Sequence, residues 1–200
     1  YEFFIINGGF TFSKSSGSIT LSDGGATEVD VDQLLLGAEN VTAFAGISGG
    51  TSDALGFELT GLDFALGIFT DQADATRSWT TLQASANGFS FVGVAGLNIS
   101  GTPLSVSVNQ ASAGEPISDF SADPLEVAIG PSATKFLNLD GSRGALLEIS
   151  GILELDIFGF LVLNGGFAFA KSEAIVPVYL DEVVGNVSVD LLTVGADDVS

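Results

Sequence analysis

Apolar residues recur at every second position along most of this chain of 200 residues. In the run from Leu62 to Ile68, for example, Leu62, Phe64, Leu66 and Ile68 alternate with smaller or polar residues. A period of two places the apolar side chains on one face of a β-strand. Alternation on one face only is typical of antiparallel sheets with one face in water. The pattern therefore predicts an all-β fold in which antiparallel strands predominate.

The strands that this period predicts are short, and Gly, Asn, Asp and Ser separate them at positions that favour turns. A period of 3.6 is almost absent, and we expect a helical turn only at the end of Asp30–Leu36. The predicted strands are Glu2–Ile6, Phe10–Ser13, Ser18–Leu21, Glu28–Leu35, Val41–Ala45, Leu55–Leu59, Leu62–Phe69, Trp79–Ala84, Gly88–Val92, Gly96–Ile99, Leu104–Val108, Leu125–Ile129, Thr134–Leu139, Ala145–Ile149, Ile152–Phe158, Phe160–Leu163, Phe167–Ala170, Ile175–Leu180 and Val187–Thr193.

A Ser-Gly or Thr-Gly pair interrupts the alternation in three similar segments, LTGLDF (59–64), ISGTPLSV (99–106) and ISGILELDI (149–157). In the first, the apolar positions are odd up to Leu59 and even from Leu62 onwards. One extra residue at such a point is what a β-bulge inserts, and Gly permits the backbone conformation that a bulge needs. We therefore expect strands that bend at glycine bulges, at the corners of an elongated, two-layered or solenoid-like sheet.

The chain also contains an internal repeat. Residues 3–15 (FFIINGGFTFSKS) and 160–172 (FLVLNGGFAFAKS) are identical at eight of thirteen positions, at an offset of 157. A second block matches at an offset of 158, where Val29, Asp32 and Gly37 correspond to Val187, Asp190 and Gly195. We interpret residues 1–157 as one complete repeat unit and residues 158–200 as the start of the next. A tandem array of this kind predicts a segment of a longer protein.

Composition limits the partners of this protein. The formal net charge is −20, with 25 acidic and 5 basic residues, and apolar residues make up 46% of the chain. A polyanion repels nucleic acid and anionic membrane surfaces, which argues against both as partners. No uninterrupted apolar run reaches the roughly 18 residues that a membrane helix needs, so no transmembrane segment is predicted. Screening of the negative charge by salt or divalent cations would favour folding and an extracellular location.

The residue types exclude several kinds of catalytic site. The chain has no His and no Cys, so neither a Ser-His-Asp nor a Cys-His arrangement can form. Among so many acidic residues, two carboxylates that lie close together carry no information about glycoside chemistry. We therefore predict that the protein is not an enzyme and that it needs no organic cofactor.

Calcium is the one candidate cofactor, because Ca²⁺ prefers carboxylate and carbonyl oxygens. Two aspartates alternate in VDVDQ, two more lie in TDQADAT, and one recurs in the second repeat block. The alternative is that aspartates begin turns and occupy wet strand faces. The candidate ligands are Asp30, Asp32, Asp71, Asp74 and Asp190.

Three blocks of the sequence resemble a repeat of very large bacterial surface proteins, which are similar to giant adhesins. They are ATRSWTTLQA (75–84), FSFVGVAGLNISGTPLSVSVNQ (89–110) and LLEISGILELDIFGFLVLNGGFAFAKS (146–172). The resemblance implies a cell-surface location and a tandem array, and it implies no catalytic or binding residue.

Together these features favour a secreted, structural or adhesive repeat that forms an extracellular stalk or filament. Its expected partners are neighbouring copies of the same repeat, within one chain or between chains. Two alternatives remain open at this point. One is an autonomous adhesin domain that binds a surface glycan or another surface, and the other is a β-gutter that carries lipid along an apolar inner face.

Overall fold

The computed structural model describes residues 3–180 and 183–200, and these residues form twelve β-strands and one 3-10 turn. Within them no helix is long or apolar enough to span a bilayer. The turn is Gly141–Arg143, and the strands are β1 (Phe4–Leu21), β2 (Glu28–Ile47), β3 (Leu55–Asp71), β4 (Ser78–Ala86), β5 (Gly88–Val92), β6 (Leu97–Ala111), β7 (Ser118–Asp119), β8 (Leu125–Ala128), β9 (Thr134–Leu137), β10 (Leu146–Ile157), β11 (Leu161–Leu180) and β12 (Val183–Asp197).

Ten of these strands belong to one antiparallel sheet. Its order is β7–β1–β2–β3–β4–β6–β10–β11–β12, and β5 follows β4 between β3 and β6. The remaining two strands, β8 and β9, form a separate two-stranded sheet. The prediction of an all-β, mainly antiparallel fold is confirmed.

The strands are longer than the sequence pattern predicted. The three segments predicted between Glu2 and Leu21 form the single strand β1 over the described residues, and the Gly8–Gly9 pair lies inside it. The reason is close packing rather than a turn. A Cβ atom on Gly8 would lie 2.5 Å from Cγ2 of Val41 on β2, so only glycine fits there. The same merging occurs in β2, β3, β6, β10 and β11.

The predicted helical turn at the end of Asp30–Leu36 is wrong. These residues lie in the middle of β2, where Leu36 is opposite Phe12 of β1 on one side and Leu66 of β3 on the other. A residue with strand partners on both sides has its backbone groups committed to the sheet. Pairing across the sheet therefore overrides the weak local preference for a turn.

Register shifts occur where the sequence pattern changes parity. Val41 is opposite Leu62 and Ala43 is opposite Leu59, so β3 has an extra residue between them, at Gly61, whose φ is +59°. As a consequence, the apolar residues with odd numbers before Gly61 and those with even numbers after it lie on the same face of the sheet. The bulge thus preserves an apolar face across a change in sequence parity.

The main core covers only one end of the sheet. There the segment between β6 and β10, which contains β7, β8 and β9, returns across the sheet and encloses an apolar cluster. We call the sheet face beneath this segment the covered face. The cluster comprises Ile19, Leu21, Val29, Val31, Ala65, Phe69, Trp79, Phe120, Val127, Ile129 and Leu137.

Buried polar contacts fix the returning segment to the sheet. The Asn109 side chain of β6 accepts hydrogen bonds from the hydroxyls of Thr81 (3.0 Å) and Ser118 (2.9 Å). Its amide donates to the Ser118 carbonyl at 2.8 Å. All three residues are at most 1% exposed. Buried polar groups are stable only when paired, so this cluster specifies one position for the segment.

Candidate functional site

The first calcium candidates, Asp30 and Asp32, lie near the start of β2. The Asp32 carboxylate accepts hydrogen bonds from the Ser16 hydroxyl and the Gln72 amide, both at 3.3 Å. The Asp30 carbonyl accepts a hydrogen bond from the backbone amide of Gln72 at 3.0 Å. Both aspartates are exposed, and these contacts tie the start of β2 to the turn that follows β3.

Arg77 organises the turn that holds Asp71 and Asp74. Its guanidinium lies 2.7 Å from the buried Asp71 carboxylate and 2.8 Å from that of Glu115, and it stacks on the Trp79 ring. The hydrogen bond and charge of Glu115, together with the charge of Asp71, raise the pKa of Arg77. The sequence pattern gave no sign of this arrangement, because Glu115 is 38 residues from Arg77.

Asp74 caps the same turn. Its carboxylate accepts hydrogen bonds from the hydroxyl (2.7 Å) and the amide (3.0 Å) of Thr76, and these hold the pKa of Asp74 below its usual value. Asp23 does the same in the turn before β2, where hydrogen bonds from Thr27 and Gly25 lower its pKa. Both carboxylates thus have the turn-forming role that was the alternative to metal binding.

Asp190 of β12 lies 3.3 Å from the ammonium of Lys171, and both side chains are well exposed. Asp30 and Asp71 line one cleft, together with Arg77. Among the residues that the structure describes, no three acidic side chains come close enough to hold a metal ion. The structure therefore brings two of the five calcium candidates together, and calcium binding stays a prediction.

That prediction is tested by a thermal melt. Binding of Ca²⁺ to the folded chain would raise the melting temperature, because a ligand that binds only the native state stabilises it. The melt is followed by circular dichroism with Ca²⁺ and with a chelator. Mg²⁺ at equal concentration is the control for general charge screening. A midpoint that is the same with Ca²⁺ and with chelator would remove calcium as a cofactor.

The two copies of the sequence repeat adopt the same strand pairing. Phe10 is opposite Ala38 in β1–β2, and Phe167 is opposite Ala196 in β11–β12. The pairs on either side correspond in the same way. The bulge recurs in the second copy, since the equivalent residues Asn40 and Asp198 both have left-handed backbones, with φ of 49° and 50°. The opening and closing parts of the chain are thus equivalent pieces of one sheet.

The two edges of the repeated hairpin differ in what they contact. All twelve residues of β10, Leu146–Ile157, pair with β11 between Leu161 and Ser172. The equivalent edge of β1, Phe4–Ser15, has no strand beside it among the described residues. The short strand β7 pairs with β1 only at Thr20 and Leu21. An unpaired edge of this length presents a row of free backbone donors and acceptors.

The face opposite the covered face is apolar and bare among the described residues. We call it the open face. One row of residues across it runs Phe10–Ala38–Phe64–Ala84–Val106–Ile149–Phe169–Val194, each opposite the next. Its ends are the most accessible, with Phe10 60% and Val194 62% exposed. Neighbouring rows add Phe12, Leu36, Leu66, Leu82, Val108, Leu147, Leu104 and Phe167.

The chemistry of the covered face is different beyond the core. One row there reads Glu58–Ser90–Ser100–Glu154–Asn164 across five strands. The covered face is therefore apolar beneath the returning segment and polar beyond it, whereas the open face is apolar and no described residue lies over it. Comparison of the chain with protein-family models, curated proteins and solved structures gives no match.

Proposed function

We propose that this chain is a structural repeat of a large secreted bacterial surface protein, in which successive units extend one antiparallel sheet into an extracellular stalk or filament. The observation that carries the proposal is the pairing of β10 with β11. Strand β11 has the sequence and register of β1, so the end of one unit pairs directly with the start of the next.

The same equivalence gives the register of the preceding boundary. Because Ile149 is opposite Phe169 in β10–β11, Ile149 of a preceding unit would be opposite Phe12, which corresponds to Phe169. The free stretch Phe4–Ser15 has the length needed for this strand, and β7 lies beyond its end. An elongated, solenoid-like array of units follows from repeating this step.

A boundary of this kind is stiff. It contains twelve residue pairs, and each favourable cross-strand side-chain pair adds roughly 0.2–1 kcal/mol. The junction therefore resembles the interior of a unit rather than a flexible linker. The charge of −20 on each chain of this length keeps such a rod soluble. Neighbouring copies of the repeat are the partners that this proposal requires.

The length of tandem chains tests the proposal. One unit contributes six strand positions to the sheet, β1, β2, β3, β4, β6 and β10. At about 4.8 Å between strands, each added unit should lengthen the particle by about 29 Å. Chains with one, two and three copies of residues 1–157 before residues 158–200 are compared by small-angle scattering and electron microscopy.

The control interrupts the boundary strand without touching the cores. Ala168→Pro, combined with Thr11→Pro at the equivalent position of every copy after the first, removes a backbone donor in the middle of each boundary strand, which a central strand does not tolerate. The control Phe160→Ser, combined with Phe3→Ser in the same copies, changes the residue just before that strand, where Phe160 is 96% exposed, and should leave the rod intact. Beads that move independently in the unmodified tandem chain would contradict the stalk proposal.

A further inference from the structure

The open face is too large for an isolated soluble chain. The chain exposes 11626 Å², whereas a compact monomer of 20.4 kDa exposes about 8,800 Å². The excess of about 2,800 Å² combines polar and apolar surface, and the open face contributes to it through exposed side chains such as Phe10 (60%), Phe12 (71%) and Phe169 (49%). Water contact with contiguous apolar side chains is unfavourable, and an apolar row that crosses eight strands is more than a monomer usually leaves bare. Some other apolar surface must therefore cover it.

We infer that the open face is an interface with the open face of a second copy, so that two sheets pack face to face. The area supports this occupant. If each copy buries half of its excess surface, the interface totals about 2,800 Å², within the range of obligate homodimers. The inference goes beyond the stalk proposal, because a sheet could also lengthen as a single layer.

The alternation of large and small side chains on the open face would allow a second sheet to pack against it. Along the row from Phe10 to Ala84, two phenylalanine rings alternate with two alanine methyl groups on successive strands. Large side chains that alternate with small ones form ridges and hollows, and two such layers interdigitate when displaced by one strand. A hollow of about 310 Å³ between β5, β6, β10 and β11 offers a further seat for side chains of the facing copy. It is lined by apolar residues that include Phe89, Leu104, Leu153, Leu163, Phe167 and Phe169.

The border of the open face argues against lipid as the occupant. The basic side chains there are Lys14 and Lys171, which are equivalent in the repeat, and Lys171 is already paired with Asp190. Asp30 and Asp32 lie on the same face at the same border. An acidic border repels anionic headgroups.

The rows of apolar residues on the open face run across the strands, in the direction in which added units would lengthen the sheet. A second array of the same repeat would therefore present a matching row of apolar residues at each unit.

Two cysteine variants of the full chain test this inference, because the protein has no cysteine of its own. Val106 and Ser107 are adjacent on β6 and lie on opposite faces of the sheet. We expect Val106→Cys to be protected from a thiol reagent at least tenfold relative to Ser107→Cys. Sedimentation should give a mass twice the 20.4 kDa of one chain.

A charge variant provides the second measurement. Leu82→Glu, in the middle of the open face, should give a monomer, whereas Ser107→Glu should remain a dimer. If Leu82→Glu does not fold, the cysteine variants still decide. A monomer in which both cysteines react would overturn the inference and leave the stalk proposal standing. Larger assemblies with a reactive Val106→Cys would also overturn it, as would a monomer that retains acyl chains in native mass spectrometry.

Discussion

Replacement of Trp79 with alanine is expected to lower the free energy of unfolding by about 3–5 kcal/mol, the usual cost of emptying a large aromatic site in a core. The Trp79 side chain is 1% exposed. Its indole Nε1 donates a hydrogen bond to the Pro116 carbonyl at 2.8 Å, so truncation also leaves that carbonyl without its donor. A loss of this size is a large part of the 5–15 kcal/mol that holds a typical domain together.

Urea denaturation followed by far-ultraviolet circular dichroism measures this effect without relying on tryptophan fluorescence. The matched control is Phe136→Ala in strand β9, because Phe136 is 50% exposed. Its removal should change the free energy of unfolding by no more than about 0.5 kcal/mol. Equal losses for the two variants would show that the cluster around Trp79 is not the main core.

The second large effect is expected at Asn109. Asn109→Leu keeps a similar volume but removes the acceptor of the Thr81 and Ser118 hydroxyls and the donor to the Ser118 carbonyl. The two hydroxyls, 3.1 Å apart, can still bond each other, so one hydroxyl donor and the carbonyl lose a partner. Each buried group left without a partner costs about 1–3 kcal/mol. We therefore expect the variant to be destabilised by about 2–5 kcal/mol, with the returning segment released from the sheet.

A triple variant separates polar pairing from packing. Thr81→Val and Ser118→Ala remove the two hydroxyls, so adding them to Asn109→Leu should restore part of the lost stability in the same denaturation experiment. Hydrogen exchange should show faster exchange in β7, β8 and β9 in the single variant than in the triple variant. If the triple variant is less stable than Asn109→Leu alone, the loss does not come from unpaired polar groups.

Much of the fold could be predicted from the period of two. That pattern indicates which side chains share a face, and it predicted the strand around Phe64 and the strands β8 and β9, though not their pairing with each other. The bulge position at Gly61 also follows from sequence, since the parity of apolar residues changes there. The repeat predicted that Phe10 and Phe167 occupy equivalent places, because the same side chains in the same order form the same pairs.

Other features depend on contacts between distant residues and left no local signal. The union of short segments into the long strand β1 could not be predicted, because an Asn-Gly-Gly sequence reads as a turn until Val41 of the next strand is placed beside it. In the buried polar cluster, Asn109 and Ser118 lie 28 and 37 positions from Thr81 in the sequence. The ion pairs of Arg77 with Asp71 and Glu115 likewise engage the carboxylate of Asp71, a calcium candidate. They could not be predicted because Glu115 is distant from Arg77 in the sequence.

Because β10 pairs with β11, the twist of the sheet would continue from one unit into the next and set the handedness of any array. Neighbouring strands in a sheet rotate by about 20–25° with a fixed hand, and one unit supplies six strand positions. Each unit would then turn by about 120–150° relative to the one before. The apolar open face would wind around the long axis as a helix, completing a revolution in about two and a half to three units. Two such ribbons could keep contact along their length only by coiling around each other.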